Sequence, residues 1–112
     1  MSMRIQSIIK ITPTPEKRNE ILDILHSVKG PTQAINGCLS CYICEEVEDE
    51  RIIFYMEQWG TWEDFILHIR SDLYTRILEA VELSLEKPDF CFFEVSAMKG
   101  LELIETIRDT KL

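Results

Sequence analysis

Apolar positions along this chain change period several times, and each change predicts a new element. Residues 4–11, RIQSIIKI, are β-branched and roughly alternating, which predicts a strand. TPTPEKRNEILDILHSVKG then shifts to helical spacing, with Ile21, Ile24, Leu25 and Val28 at i, i+3, i+4 and i+7. Thr14 suits the N-cap, Pro15 the first helical position and Glu16 the positive end of the helix dipole. Gly30-Pro31 predicts an end or kink. CLSCYICEEV and RIIFYMEQW predict two strands of a hairpin joined across Glu48-Asp49-Glu50. Thr61 with Asp64 approximates a capping box for a helix from Trp62, with Phe65, Ile69 and Leu73 on its apolar side. Ser71-Asp72 offers a second cap, predicting a break there and a further helix to about Glu86. FCFFEV (90–95) reads as a last strand after Pro88, and Leu101, Ile104 and Ile107 predict a short helix over 100–108.

The order β-α-β-β-α-β is the ferredoxin-like arrangement, an α+β fold with a four-stranded antiparallel sheet. The chain reads as a single domain over 1–112, with a core at 4–95 and a C-terminal extension at 97–112. Both faces of the second hairpin strand are apolar: Ile52, Phe54 and Met56 on one, Ile53, Tyr55 and Trp59 on the other. Two helices cover one face only. A second copy of the chain is the economical cover for the other, which predicts a homodimer.

Composition narrows the partners. A hydrophobic share of 46% and a charged share of 29% belong to an ordinary globular domain. The net charge of −8, partly gathered in EEVEDE (45–50), and the lack of a Lys/Arg cluster argue against nucleic acid and anionic membranes. The acidic run reads as a solvated hairpin turn. No segment approaches the ~20 apolar residues of a membrane span, and MSMRIQSIIKIT lacks the apolar stretch of a secretory signal. Four cysteines without such a signal predict reduced thiols in a cytoplasm.

Three of those cysteines, Cys38, Cys41 and Cys44, stand at CxxCxxC spacing. On a regular strand Cys38 and Cys44 share one face, about 20 Å apart, and Cys41 points to the other. Thiolates so placed cannot share one metal ion with its ~2.3 Å Zn–S bonds, nor form a disulfide, which needs Cα atoms within ~7 Å. The expectation is small buried hydrophobes, Cys91 included, and no metal.

Gly37-Cys38-Leu39-Ser40, the acidic turn, Glu57-Gln58-Trp59, His68, and Ser71 with Tyr74 together resemble the signature region of the antibiotic-biosynthesis monooxygenase family. PTPEKRNEILDIL resembles that family's first helix, and the likeness runs over about residues 4–95. It implies a ferredoxin-like subunit that dimerises sheet to sheet into an α/β barrel. It also implies oxygenation of quinols or polycyclic phenols by O2 without a cofactor. Cys41 replaces the family's usual Tyr, Leu73 stands where many members have a second His, and residues 96–112 extend beyond the common end. Haem-degrading relatives use an Asn, a Trp and a His. Trp59 matches their Trp, but Ser7 and Leu78 occupy the other two positions, and haem chemistry needs an axial ligand.

A cofactor-free oxygenase must bind an electron-rich aromatic away from water and deprotonate it. Tyr55 and Trp59 share a strand face and offer a stacking wall with Phe65, or are plain core aromatics. His68, near Phe65, is the candidate base, with a buried structural histidine as the alternative. Glu57 is a candidate semi-buried carboxylate that either orients His68 or bonds backbone. His26 is expected at the surface. Two functions stay open: a small quinol-type monooxygenase acting on a small aromatic substrate, and a non-catalytic dimeric ligand-binding or stress protein.

Overall fold

A computed structural model describes residues 3–109. Its elements are β1 (Arg4–Ile11), α1 (Arg18–Gln33), β2 (Cys38–Glu45), β3 (Ile53–Trp59), α2 (Trp62–Ile69), α3 (Asp72–Glu82), β4 (Asp89–Val95) and α4 (Leu101–Asp109). The strands form one antiparallel sheet in the order β2-β3-β1-β4, the ferredoxin-like topology. Among the described residues no helix is long and apolar enough to cross a membrane.

Strand parity divides the sheet cleanly. Ile5, Ser7, Ile9 and Ile11 of β1 and Ile53, Tyr55, Glu57 and Trp59 of β3 are buried beneath the helices. Ile8, Phe54, Met56 and Gln58 face the other way and are only half-buried, because no helix of the described residues packs on that side. Onto the covered face α1 presents Ile21, Leu25, Val28 and Thr32, and α3 presents Tyr74, Ile77, Ala80 and Val81. The helix break falls at Arg70–Ser71, where the Ser71 side chain accepts from Tyr74 N–H at 3.3 Å; Thr61 does the same for Asp64 N–H at 3.2 Å.

Four expectations need correction. α1 begins at Arg18 with Lys17 as N-cap, and Thr14 serves through its carbonyl, which takes the amides of Lys17 and Arg18 at 3.1 Å. Gly30-Pro31 does not end α1: Thr32, fully buried, extends the stripe one turn further, and this packing outweighs the bond Pro31 cannot donate. α3 stops at Glu82 rather than Glu86. The cysteine geometry also differs. Cys38 pairs with Trp59 while Ser40 already pairs with Gln58, so Leu39 is an extra, bulged residue. The bulge reverses parity, placing Cys38 and Cys41 together on the helix side and Cys44 opposite. Cys41 is buried, Cys38 and Cys44 are half-buried, and Cys91 is exposed, all four as free thiols.

The C-terminal helix forms as expected, but the other described residues leave it exposed. It buries none of its residues, and Leu101, Ile104 and Ile107 are each more than half exposed. An isolated nine-residue helix is marginal in water. Among the described residues nothing covers its apolar stripe.

Candidate active site

Three transverse rows of side chains cross the helix-facing side of the sheet. The middle row runs Cys41, Glu57, Ser7, Phe92 from β2 to β4. The row on one side is Ile43, Tyr55, Ile9, Phe90, and on the other Cys38, Trp59, Ile5, Glu94. Neighbouring strands lie about 4.8 Å apart, so Glu57 sits between Tyr55 and Trp59 along β3, with a short Ser7 beside it.

Helix α2 closes over this floor, and its seating has a backbone cause. Gly37 has φ +92°, and a Cβ there would stand 2.3 Å from the Asp64 carboxylate. The Gly37 carbonyl also accepts from Gly60 N–H at 2.9 Å. The first turn of α2 thus rests on the entrance to β2, which sets Phe65 and His68 over Trp59. Trp59 and Phe65 rings lie 5.9 Å apart, and His68 stacks on Trp59 at 4.8 Å with an interplanar angle of 29°. Tyr74 of α3 meets His68 edge-on at 5.2 Å.

Glu57, 1% exposed, is the hub. Its Oε1 accepts from Trp59 Nε1–H at 2.8 Å, and its Oε2 accepts from Tyr55 O–H at 2.7 Å. His68 Nε2 lies 3.0 Å from the same Oε2. The Cys41 thiol donates in turn to Tyr55 Oη at 3.3 Å. His68 is 2% exposed, and its other nitrogen, Nδ1, is buried with no hydrogen-bond partner among the described residues. An unmet buried polar atom costs about 1–3 kcal/mol, so this nitrogen marks a position where a hydrogen-bonding group would be gained.

The five residues singled out from sequence, Tyr55, Glu57, Trp59, Phe65 and His68, are therefore brought together in one contiguous cluster. Glu57 is fully rather than half buried, and it bonds side chains. On α2 the inward positions are Phe65 and His68, whereas Ile69, expected on the apolar side, is 39% exposed. His26 is exposed, as expected. Sequence reasoning missed the outer part of the site. Phe90 and Phe92 lie on the helix side of β4, at the margin of the helix layer, at 39% and 46% exposure. They stack on one another at 6.3 Å, and Phe92 meets Phe65 at 5.8 Å. Trp62 donates from Nε1 to Glu94 at 2.8 Å at the rim. Rings thus run unbroken from an exposed shelf on β4 to the buried histidine.

A family profile decides the kinship: that of antibiotic biosynthesis monooxygenases matches residues 4–80. The chain belongs to the antibiotic biosynthesis monooxygenase family. A conserved protein from Methanosarcina mazei Go1 is similar in structure, with a TM-score of 0.78 at 23% identity over 85% of this chain and 95% of that one. A Pseudomonas aeruginosa protein superposes with a TM-score of 0.75 at 22% identity, covering 87% and 98%. A structure named antibiotic biosynthesis monooxygenase gives 0.70 at 16% identity, covering 85% and 99%. At these identities the likeness is one of fold. A comparison with curated proteins finds no match.

The buried groups of this family member also set its behaviour in alkali. Burial pushes the Cys41 thiol up to about 11 from 9.0, despite the hydrogen bond to Tyr55. Burial first, and then the Glu57 charge, raise Tyr74 from 10.0 to about 12 and carry Tyr55 above the ordinary phenol range. The folded state holds these protons more tightly than the unfolded chain does. Their stabilisation is full below pH 9 and is lost as pH rises through about 11 for Cys41 and about 12 for Tyr74. Urea midpoints measured from pH 8 to 12 are expected to fall steadily above pH 9. A flat profile would contradict the buried placement of these groups.

Proposed function

We propose that this chain is a cofactor-independent monooxygenase that oxidises a quinol or polycyclic phenol with O2, with His68 as the base. One observation carries the reading: a buried histidine stacked on Trp59, held by Glu57 through Nε2, with Nδ1 unpartnered. The base takes the phenolic proton and leaves the O–H electron pair on the substrate oxygen. The resulting anion passes an electron to O2, and collapse of the radical pair forms the new C–O bond. Loss of water then gives the quinone, which keeps one atom of O2; the other leaves as water with the substrate's O–H and ring C–H hydrogens. All electrons come from the substrate. Phe90 and Phe92 offer a ring-stacking shelf for its approach, and Phe65 links that shelf to the histidine's side of the sheet.

The test is oxygen uptake with a panel of hydroquinones and anthrones, chelator present and flavin absent. Uptake above the buffer rate with at least one of them is expected. One feature favours the alternative of a non-catalytic ligand-binding or stress protein: Tyr55, Trp59, Phe65 and His68 fill the space they enclose with their own rings. That reading predicts quenching of tryptophan fluorescence by the same compounds with no oxygen consumed.

The working unit in this reading is a cytoplasmic homodimer. The helix-free face carries Ile8, Phe54 and Met56, with Tyr42 and Phe93 about half exposed, and a second copy would cover it. Sedimentation should give a particle of about 26 kDa, twice the 13.1 kDa chain, with an interface of roughly 2,000 Å² or more. Deleting residues 97–112, and with them the unpacked α4, should weaken the dimer or ligand retention while leaving the sheet's circular dichroism intact. A stable monomer at micromolar concentration would remove the barrel, and a truncated chain that matches the full one would make the segment a tail.

A further inference from the structure

We infer that Glu57 is the positioning residue of this site: its carboxylate holds His68 as the Nε2–H tautomer and so makes Nδ1 the basic atom. This rests on the reading of His68 as a base and adds which nitrogen acts and what selects it. Trp59 Nε1–H can only donate, and it donates to Oε1. Tyr55 Oη receives the Cys41 thiol on one side, so its own proton is directed at Oε2 on the other. Two of the carboxylate's three side-chain contacts are thus fixed as acceptances. The third, 3.0 Å from His68 Nε2, is satisfied in the same sense when Nε2 carries the proton.

A neutral imidazole has one N–H, which leaves the lone pair on Nδ1. The opposite tautomer would set two lone pairs against each other at Oε2 and Nε2. It would also bury an N–H at Nδ1, where no acceptor is in reach. A flip about the Cβ–Cγ bond offers no escape: it would put Cε1 where Nε2 meets Glu57 and lose that hydrogen bond, within a ring packed between Trp59 and Tyr74. When a substrate hydroxyl gives its proton to Nδ1, the O–H electron pair stays on the substrate oxygen. The imidazolium so formed keeps its Nε2–H on the Glu57 carboxylate, which stabilises the new charge where it appears. Glu57 touches no substrate in this scheme; it acts through His68.

Nitrogen-15 NMR of the full-length chain, without substrate, reads the tautomer directly. Long-range proton–nitrogen correlations at pH 8 distinguish the two imidazole nitrogens, and His26→Gln removes the other histidine from the spectrum. Wild type should show His68 protonated at Nε2 and bare at Nδ1. In Glu57→Gln the Trp59 N–H, which can only donate, keeps the amide oxygen, so the NH2 turns toward Nε2 and Tyr55 Oη. His68 should therefore shift to the Nδ1–H form or to a mixture, and kcat should fall by ~10²–10⁴ with KM little changed. A wild-type proton on Nδ1 or on both nitrogens would overturn the inference, as would a Glu57→Gln ring in the unchanged tautomer. The wild-type spectrum requires no variant to fold, so the inference stays decidable if Glu57→Gln is unstable. The tautomer and oxygen uptake can also fail separately: the expected tautomer without uptake keeps the positioning role and removes the oxygenase, and the reverse result does the opposite.

Discussion

His68→Ala should lower turnover by ~10²–10⁴, the usual contribution of a positioned general base. The expectation follows from a ring with one nitrogen anchored and the other unpartnered in a buried site. Alanine removes the proton acceptor without touching the Phe90–Phe92 shelf, so KM should change far less than kcat. The substitution also takes one of three donors from Glu57 and opens a void beside Trp59. Turnover must therefore be compared at a temperature where circular dichroism shows both proteins folded. His68→Gln, which fills more of the void and still reaches for hydrogen bonds, should recover stability but not rate. A His68→Ala protein as fast as wild type would exclude the histidine from the chemistry.

Trp59→Ala should cost about 3–5 kcal/mol of stability, the range for losing a large aromatic from a core. From sequence alone this residue reads as a stacking wall whose loss mainly weakens substrate binding. Its complete burial changes that expectation. Trp59 supports Phe65 and His68 from below, and its indole N–H holds Glu57 Oε1. Alanine would leave a cavity and a buried carboxylate oxygen short of a donor. Trp59→Phe separates the two effects, since it keeps most of the volume and removes only the hydrogen bond, at about 1–3 kcal/mol. Urea denaturation of both variants reads these losses. A Trp59→Ala midpoint equal to wild type would mean that the cluster is not part of the core.

Much of this architecture is legible in the residues because local signals agree with the global fold. Runs of β-branched and aromatic residues place β1, β3 and β4, and the hydroxyl caps at Thr61 and Ser71 place the break between α2 and α3. What escapes is decided at a distance. The bulge at Leu39 leaves no trace in CLSCYIC, because an extra residue shifts parity without changing composition. The family's Gly37-Cys38-Leu39-Ser40 thereby gains a physical meaning: a positive φ that admits Asp64, then a bulge that brings Cys38 to the Trp59 row. That Tyr55, Glu57 and Trp59 share a face follows from spacing alone. That Glu57 meets His68, eleven residues on and in another element, does not. The exposure of Phe90 and Phe92 depends on where the helices end, which no strand pattern reveals. Nor does the stripe on α4 say that the other described residues leave it uncovered.

In the proposed reaction molecular oxygen supplies an atom to a substrate that provides its own electrons, with the buried Glu57–His68 pair handling the proton. Turnover of an oxidisable quinol or anthrone under ¹⁸O2, with chelator present and flavin absent, tests it most directly. One labelled oxygen atom is expected in the quinone from the wild-type protein, and loss of that product in His68→Ala. Product free of label, or equal labelled product from both proteins, would contradict the proposed reaction.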